Sequence, residues 1–212
     1  KSKHHHKPTN MIAKITILLL TFCLSNLFGQ VKENEIRLSD DKGYPELIKF
    51  GETRITDDLP SIQEFLKTQY KTKPDINFIR KTKPQIKNGF KSEKLQQYYR
   101  GIPVEYAIIN INSKNGNLLS INGNFVPIEN LNTTPRLSEN EALQFALSEI
   151  KGVKYAWENE EKERTIKEIK RNEKATYFPK GKLVIIEKNR YSENPIPTLA
   201  YKFDIYAVNP LS

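Results

Sequence analysis

From Gln30 to Ser212 the chain holds no histidine and no cysteine; His4, His5, His6 and Cys23 all precede that stretch. Without them neither the usual His/Cys zinc site nor a Ser-His-Asp or Cys-His constellation can form. No Gly-x-Ser-x-Gly elbow, phosphate-cradling glycine loop or dinucleotide fingerprint occurs. A Ser-Lys pair or a pair of carboxylates is the chemistry that stays open. Serines, lysines and acids are too plentiful for spacing to single out one pair. Catalysis therefore ranks behind binding or escorting a partner.

Charge offers a second kind of chemistry. Between Lys71 and Arg100 lie nine basic residues and two acids, Asp75 and Glu93, with Phe78, Phe90, Tyr98 and Tyr99 among them. Basic residues mixed with aromatics bind nucleic acid in some proteins. On alternating strands of an exported chain a solvated face ranks first, a docking surface for an acidic protein second, and nucleic acid third. The triplet Asn132-Thr133-Thr134 fits a glycosylation sequon and is assigned no role.

The elements that must position these groups are read from periodicity and caps. Residues 30–57 have few periodic signals and are expected to form an extended arm. Asp57 and Asp58 are N-cap candidates for a helix that runs to about Tyr70. Pro60 suits its first turn, and Ile62, Phe65 and Leu66 fall on one face. Strands are expected at 76–80, 95–99, 104–112 and 117–125, with Val104, Tyr106 and Ile108 on one face. Arg100-Gly101 and Asn115-Gly116 are read as tight turns, and Asn122-Gly123 as a further turn or bulge.

Residues 127–136 read as a linker. Ser138 and Glu141 form a capping box, opening a helix with Ala142, Leu143, Ala146, Leu147 and Ile150 on its apolar face and Gly152 at its end. Residues 158–174 hold six acids and six bases, with Glu158/Lys162, Glu160/Arg164 and Glu163/Lys167 at i,i+4 spacing. They are expected to form a solvated helix with a thin apolar stripe including Trp157 and Ile169. Strands at 182–187 and 199–207 follow, with Pro195 and Pro197 in the loop between them. This order implies an α+β fold of antiparallel sheets with packed helices, truncated at its C-terminus.

The N-terminus carries an address. Lys14, the apolar run from Ile15 and the closing Gly29 and Gln30 have the layout of a secretory signal peptide. The run is too short and interrupted to span a bilayer comfortably, so no membrane association is expected after its removal. Phe22 argues against lipid attachment at Cys23. Cleavage is expected between Gly29 and Gln30, although Leu27 is a poor match to the usual small residue. The ten residues before Met11 are expected to have no function, ahead of a metal-binding His tract.

Removing residues 1–29 takes four of the 34 basic residues, leaving 30 against 25 acids, or +5. An exported chain without cysteine has no disulfides, so its stability must come from an ordinary core.

The string Gln96-Gln97-Tyr98-Tyr99-Arg100-Gly101-Ile102-Pro103-Val104-Glu105-Tyr106, followed by Leu119-Ser120-Ile121-Asn122-Gly123-Asn124-Phe125, resembles the fungalysin/thermolysin propeptide motif of M4 and M36 zinc metallopeptidase precursors. The helix at 137–150, Tyr155-Ala156-Trp157, residues 175–184 and residues 199–207 resemble a PepSY domain.

The resemblance implies two small cystatin-like or PepSY-like modules, at 58–126 and 137–212. It implies a secreted pro-region that acts as intramolecular chaperone and inhibitor of its own downstream peptidase domain. Zinc, and calcium where present, would lie only in that domain, which would follow Ser212 and bear His-Glu-x-x-His. This chain would be no enzyme and would hold no cofactor. Tyr98, Tyr99, Arg100, Gly101, Ile102, Pro103 and Val104 are the candidate partner contacts, with Pro103 marking a strand edge or a bulge. The reading that they only shape the meander ranks ahead. The alternative function is a free-standing secreted inhibitor or ligand-binding protein of PepSY type.

Overall fold

The computed structural model describes residues 35–51, 54–150, 154–192 and 194–208. The leader, its cleavage point, Cys23, the His tract and Gly152 lie outside those residues.

The first helix, α1 (Leu59–Tyr70), begins where its cap chemistry places it. The Asp58 carboxylate accepts from the Ser61 N–H at 2.9 Å and from the Thr56 hydroxyl at 2.7 Å. Asp57, the other cap candidate, instead accepts from the Ser113 hydroxyl at 2.7 Å. Ile62, Leu66 and Tyr70 are buried at i, i+4, i+8 spacing, and Phe65 meets Phe50 edge to face at 5.3 Å.

The strands form an antiparallel meander: β3 (Ile76–Arg80), β4 (Gln85–Lys87), β5 (Phe90–Tyr99), β6 (Ile102–Lys114) and β7 (Asn117–Gly123). Three two-residue turns, Asn88-Gly89, Arg100-Gly101 and Asn115-Gly116, connect β4 through β7 with positive φ at both positions. That backbone twist matches the twist of the strands it joins. Residues 36–49, expected as part of an arm, form a hairpin of β1 (Ile36–Ser39) and β2 (Pro45–Lys49). It extends the sheet to the order β1-β2-β7-β6-β5-β3, because β2 pairs with β7 from Lys49–Ser120 to Leu47–Asn122. Ile48 and Phe50 enter the core there.

The expected face of β6 is corrected. Val104 is buried, but Tyr106 is 64% exposed, and burial resumes at Ala107, Ile109 and Ile111. The β5–β6 register slips between Gln96 and Tyr98, and Tyr106 takes φ +65°. This irregularity sets Gln97 against the four residues from Val104 to Ala107, and its three extra residues, an odd number, reverse the alternation beyond it, placing Tyr106 and Ile108 on the opposite side from Ala107.

After β7, Phe125, Val126 and Ile128 pack into the core, so residues 127–136 are irregular in backbone but anchored at their start. The capping box holds: the Ser138 N–H donates to Glu141 at 2.8 Å and the Glu141 N–H to the Ser138 hydroxyl at 3.3 Å. It opens α2 (Glu139–Ile150), of which Leu143 alone is described as buried. Trp157 sits in a 3-10 turn (Ala156–Glu158) stacked on Tyr155, outside the stripe expected for it. The following α3 (Glu160–Lys170) has no buried residue, and Ile169 is 67% exposed.

Two strands close the described chain, β8 (Lys182–Lys188) and β9 (Ile196–Lys202). The last strand thus starts earlier than expected and contains Pro197, paired with Glu187. β9 pairs with β8 alone, and an edge strand tolerates a missing N–H. β8 meets β6 in parallel at Val104–Ile185, a departure from the otherwise antiparallel pairing. The result is α+β, with Ile185 in the same buried cluster as α1 and the meander.

Candidate partner-binding surface

The turn joining β5 to β6 is built by two residues at positive φ, Arg100 at +48° and Gly101 at +79°. Glycine takes that conformation freely; arginine does so at a cost of about 1 kcal/mol. Asp75 offsets it: its carboxylate lies 3.0 Å from the Arg100 guanidinium, and its carbonyl accepts the Arg100 N–H at 2.8 Å. The guanidinium also stands 5.2 Å from the Tyr99 ring centre.

The seven sequence-predicted contacts do not share one environment. Tyr99 and Val104 are fully buried, Arg100 and Gly101 are exposed, and Tyr98, Ile102 and Pro103 are half-buried. Pro103 lies opposite Tyr98. The edge of β6 at Val104 is not free, because β8 occupies it.

Two neighbouring residues carry structure that sequence reading left unassigned. Gln97 is fully buried and bridges two segments. Its amide donates to the Val126 carbonyl at 2.7 Å, and its side-chain oxygen accepts the Val126 N–H at 3.0 Å. Gln96 donates to the carbonyls of Val104 and, at 3.0 Å, Ala107, within the stretch of β6 that the register slip leaves unaligned with β5. A Gln-Gln pair beside a Gly-x-Pro turn was the available signal. At the other end of the bulge, a Cβ on Gly123 would lie 2.1 Å from the Ile108 carbonyl oxygen, so only glycine allows β7 to approach there.

The registers divide the sheet into two faces. The inner face, against α1, carries Leu95, Ile109, Ile111 and Ile121, together with Glu93, 2% exposed and gripped between Arg80 and Lys91. The outer face is reconstructed from aligned partners. One row across it runs Ile36, Lys49, Ser120, Asn112, Ser92, Gln85. The next runs Leu38, Leu47, Asn122, Asn110, Lys94, and Lys81 follows because its N–H donates to the Lys94 carbonyl. A third holds Ile108, Gln96 and Ile79.

None of these positions is an acid. Two of the amides are satisfied across the strands, Asn112 donating to the Ser120 hydroxyl at 3.2 Å and Asn110 to the Asn122 backbone carbonyl at 3.3 Å. Ile36, Leu38 and Ile79 are 51%, 56% and 48% exposed, so the margins of this face lie open, while its centre is half-buried and Gln96 in the third row is buried.

The basic segment resolves into two groups. Arg80, Lys91 and Arg100 are paired with acids, whereas Lys71, Lys73, Lys81, Lys83, Lys87 and Lys94 pair with no acid among the described residues. Elsewhere, residues 131–137, α2, β8 and β9 enclose an apolar groove of about 570 Å³, floored by Leu183, Leu199 and Tyr201. Lys202 at the end of β9 has its pKa raised by a hydrogen bond to Glu105 and by that carboxylate's charge.

Among the described residues no group of three His, Cys, Asp or Glu side chains is placed to hold a metal ion. No helix among the described residues is long and apolar enough to cross a membrane. Residues 78–125, the meander from β3 to the residues just past β7, match the family model described as Fungalysin/Thermolysin Propeptide Motif. No curated protein matches the chain.

Proposed function

We propose that this chain is the pro-region of a secreted zinc metalloendopeptidase precursor of the thermolysin or fungalysin type. It acts as intramolecular chaperone and inhibitor of a peptidase domain continuous with it. The match of the propeptide motif to residues 78–125 carries this reading. Those residues build the bulged β5–β6 hairpin together with Gln96 and Gln97, whose side chains bridge it to itself and to Val126. A propeptide needs a rigid surface complementary to its enzyme rather than reactive side chains, and by binding the folded enzyme it stabilises it through mass action.

The second half is assigned as a PepSY-like module and the whole as two cystatin-like units. Its support is the helix-strand-strand order of α2, β8 and β9 and the strings at 155–157 and 175–184. Tyr98 to Val104 contribute to the partner surface through the exposed Arg100-Gly101 turn and the half-buried Tyr98. Zinc belongs to the peptidase domain.

The coding sequence past Ser212 and a mixing experiment test the reading together. A downstream His-Glu-x-x-His segment is expected. The chain from Gln30, added to the separately produced peptidase domain at micromolar concentration, is expected to slow substrate cleavage and raise refolding yield. An early stop codon would instead establish the free-standing inhibitor or ligand-binding protein. A downstream peptidase that responds in neither assay would refute the chaperone and inhibitor role.

A further inference from the structure

We infer that the acid-free outer face of the sheet is where the partner peptidase docks, and that the partner presents an acidic surface to it. The inference rests on the pro-region reading and adds the location and the charge of the contact. An antiparallel sheet commonly leaves one face to solvent, and soluble proteins intersperse both signs of charge on such faces. Here the three aligned rows carry Lys49, Lys81 and Lys94 and no carboxylate, while Glu93 and Asp57 are drawn to the α1 side by Arg80, Lys91 and Ser113.

The lysines flank a neutral centre of Asn110, Asn112, Ser120 and Asn122, in which the Asn110 and Asn112 amides already donate along the sheet. That centre can be covered without stranding a buried charge. Exposed Ile36, Leu38 and Ile79 add apolar contact at its margins. Basic flanks around a neutral centre draw in and orient a protein of opposite field. Two exposed rings lie on this side, Phe90 and Tyr106, but each is already covered by a cation, Lys114 at 4.7 Å and Arg190 at 4.6 Å from the ring centres, which disfavours the base stacking that single-stranded nucleic acid needs.

The test compares inhibition of the downstream peptidase domain by the unaltered chain from Gln30 with two altered forms. One carries Lys49→Glu, Lys81→Glu and Lys94→Glu. The other carries the same charge change on α3, as Lys162→Glu, Lys167→Glu and Lys170→Glu. The outer-face triple variant is expected to weaken inhibition about tenfold or more and to flatten its salt dependence; the α3 variant is expected to stay within about twofold. A milder set, Lys→Ala at the same three outer positions, with unfolding midpoints measured for all forms, separates lost docking from lost folding.

Inhibition by the unaltered chain that both outer-face sets leave unchanged overturns this docking face and leaves the pro-region reading standing. No inhibition by the unaltered chain overturns both. An oligothymidylate that binds the unaltered chain but not the Lys→Glu outer-face variant, and competes with the peptidase for it, overturns the assignment of the face to a protein partner.

Discussion

Gln97 shows how a polar side chain can be a core residue. It is fully buried, and its two hydrogen bonds with Val126 clamp the chain leaving β7 onto the C-terminal end of β5. Replacing it with an apolar residue of similar size keeps the volume but strands a buried N–H and a buried carbonyl, and such orphans cost about 1–3 kcal/mol each. Gln97→Leu is therefore expected to destabilise the protein by roughly 2–4 kcal/mol, measured by urea unfolding. A change under about 0.5 kcal/mol would show that Gln97 only fills space. Sequence reading could quote this residue but not assign it, because its partners lie 29 residues away.

At the scale of elements, what was legible in the sequence followed its local chemistry. The Asp58 cap, the Ser138/Glu141 capping box and the Asn115-Gly116 turn are each built within a few residues, and each is where the sequence placed it. What stayed hidden depends on distant partners. The β1–β2 hairpin exists because β7 offers it an edge, and the reversed alternation after Tyr106 is held by Gln96, which donates to two carbonyls in the stretch of β6 left unaligned with β5. The partner surface was legible only as a basic segment; its face emerged from the registers.

The α1 cap also makes a prediction about acid. Hydrogen bonds from the Ser61 N–H and from the Thr56 and Ser61 hydroxyls hold the Asp58 carboxyl down from its ordinary 3.8 to about 2. A folded-state pKa below the unfolded one contributes stability that is complete above about pH 4 and lost as pH falls towards 2. The gap in urea midpoint between the unaltered protein and Asp58→Ala should thus be constant near neutrality and narrow between about pH 4 and pH 2. A gap that does not change across that range would show that the cap owes nothing to the ionised carboxylate.

The whole molecule folds around a core to which both halves contribute. Ile185 of β8 is fully buried, stands beside Val104 of β6, and belongs to the cluster that includes Leu66 and Ile109; Leu199 of β9 packs against the same cluster. Two modules joined by a linker would unfold independently, but a side chain shared between cores couples them. Ile185→Ala should cost about 2–5 kcal/mol through lost burial and the cavity left behind. Two probes see the two halves: the fluorescence of the single tryptophan, Trp157, stacked on Tyr155, and hydrogen exchange of the amides paired between β5 and β6, each followed through urea unfolding. Both are expected to lose midpoint together in the variant. A shift in tryptophan fluorescence alone would mean that β8 and β9 dock on a meander that is already stable. In that case the bridge at Val104 would be an attachment point and not part of the common core.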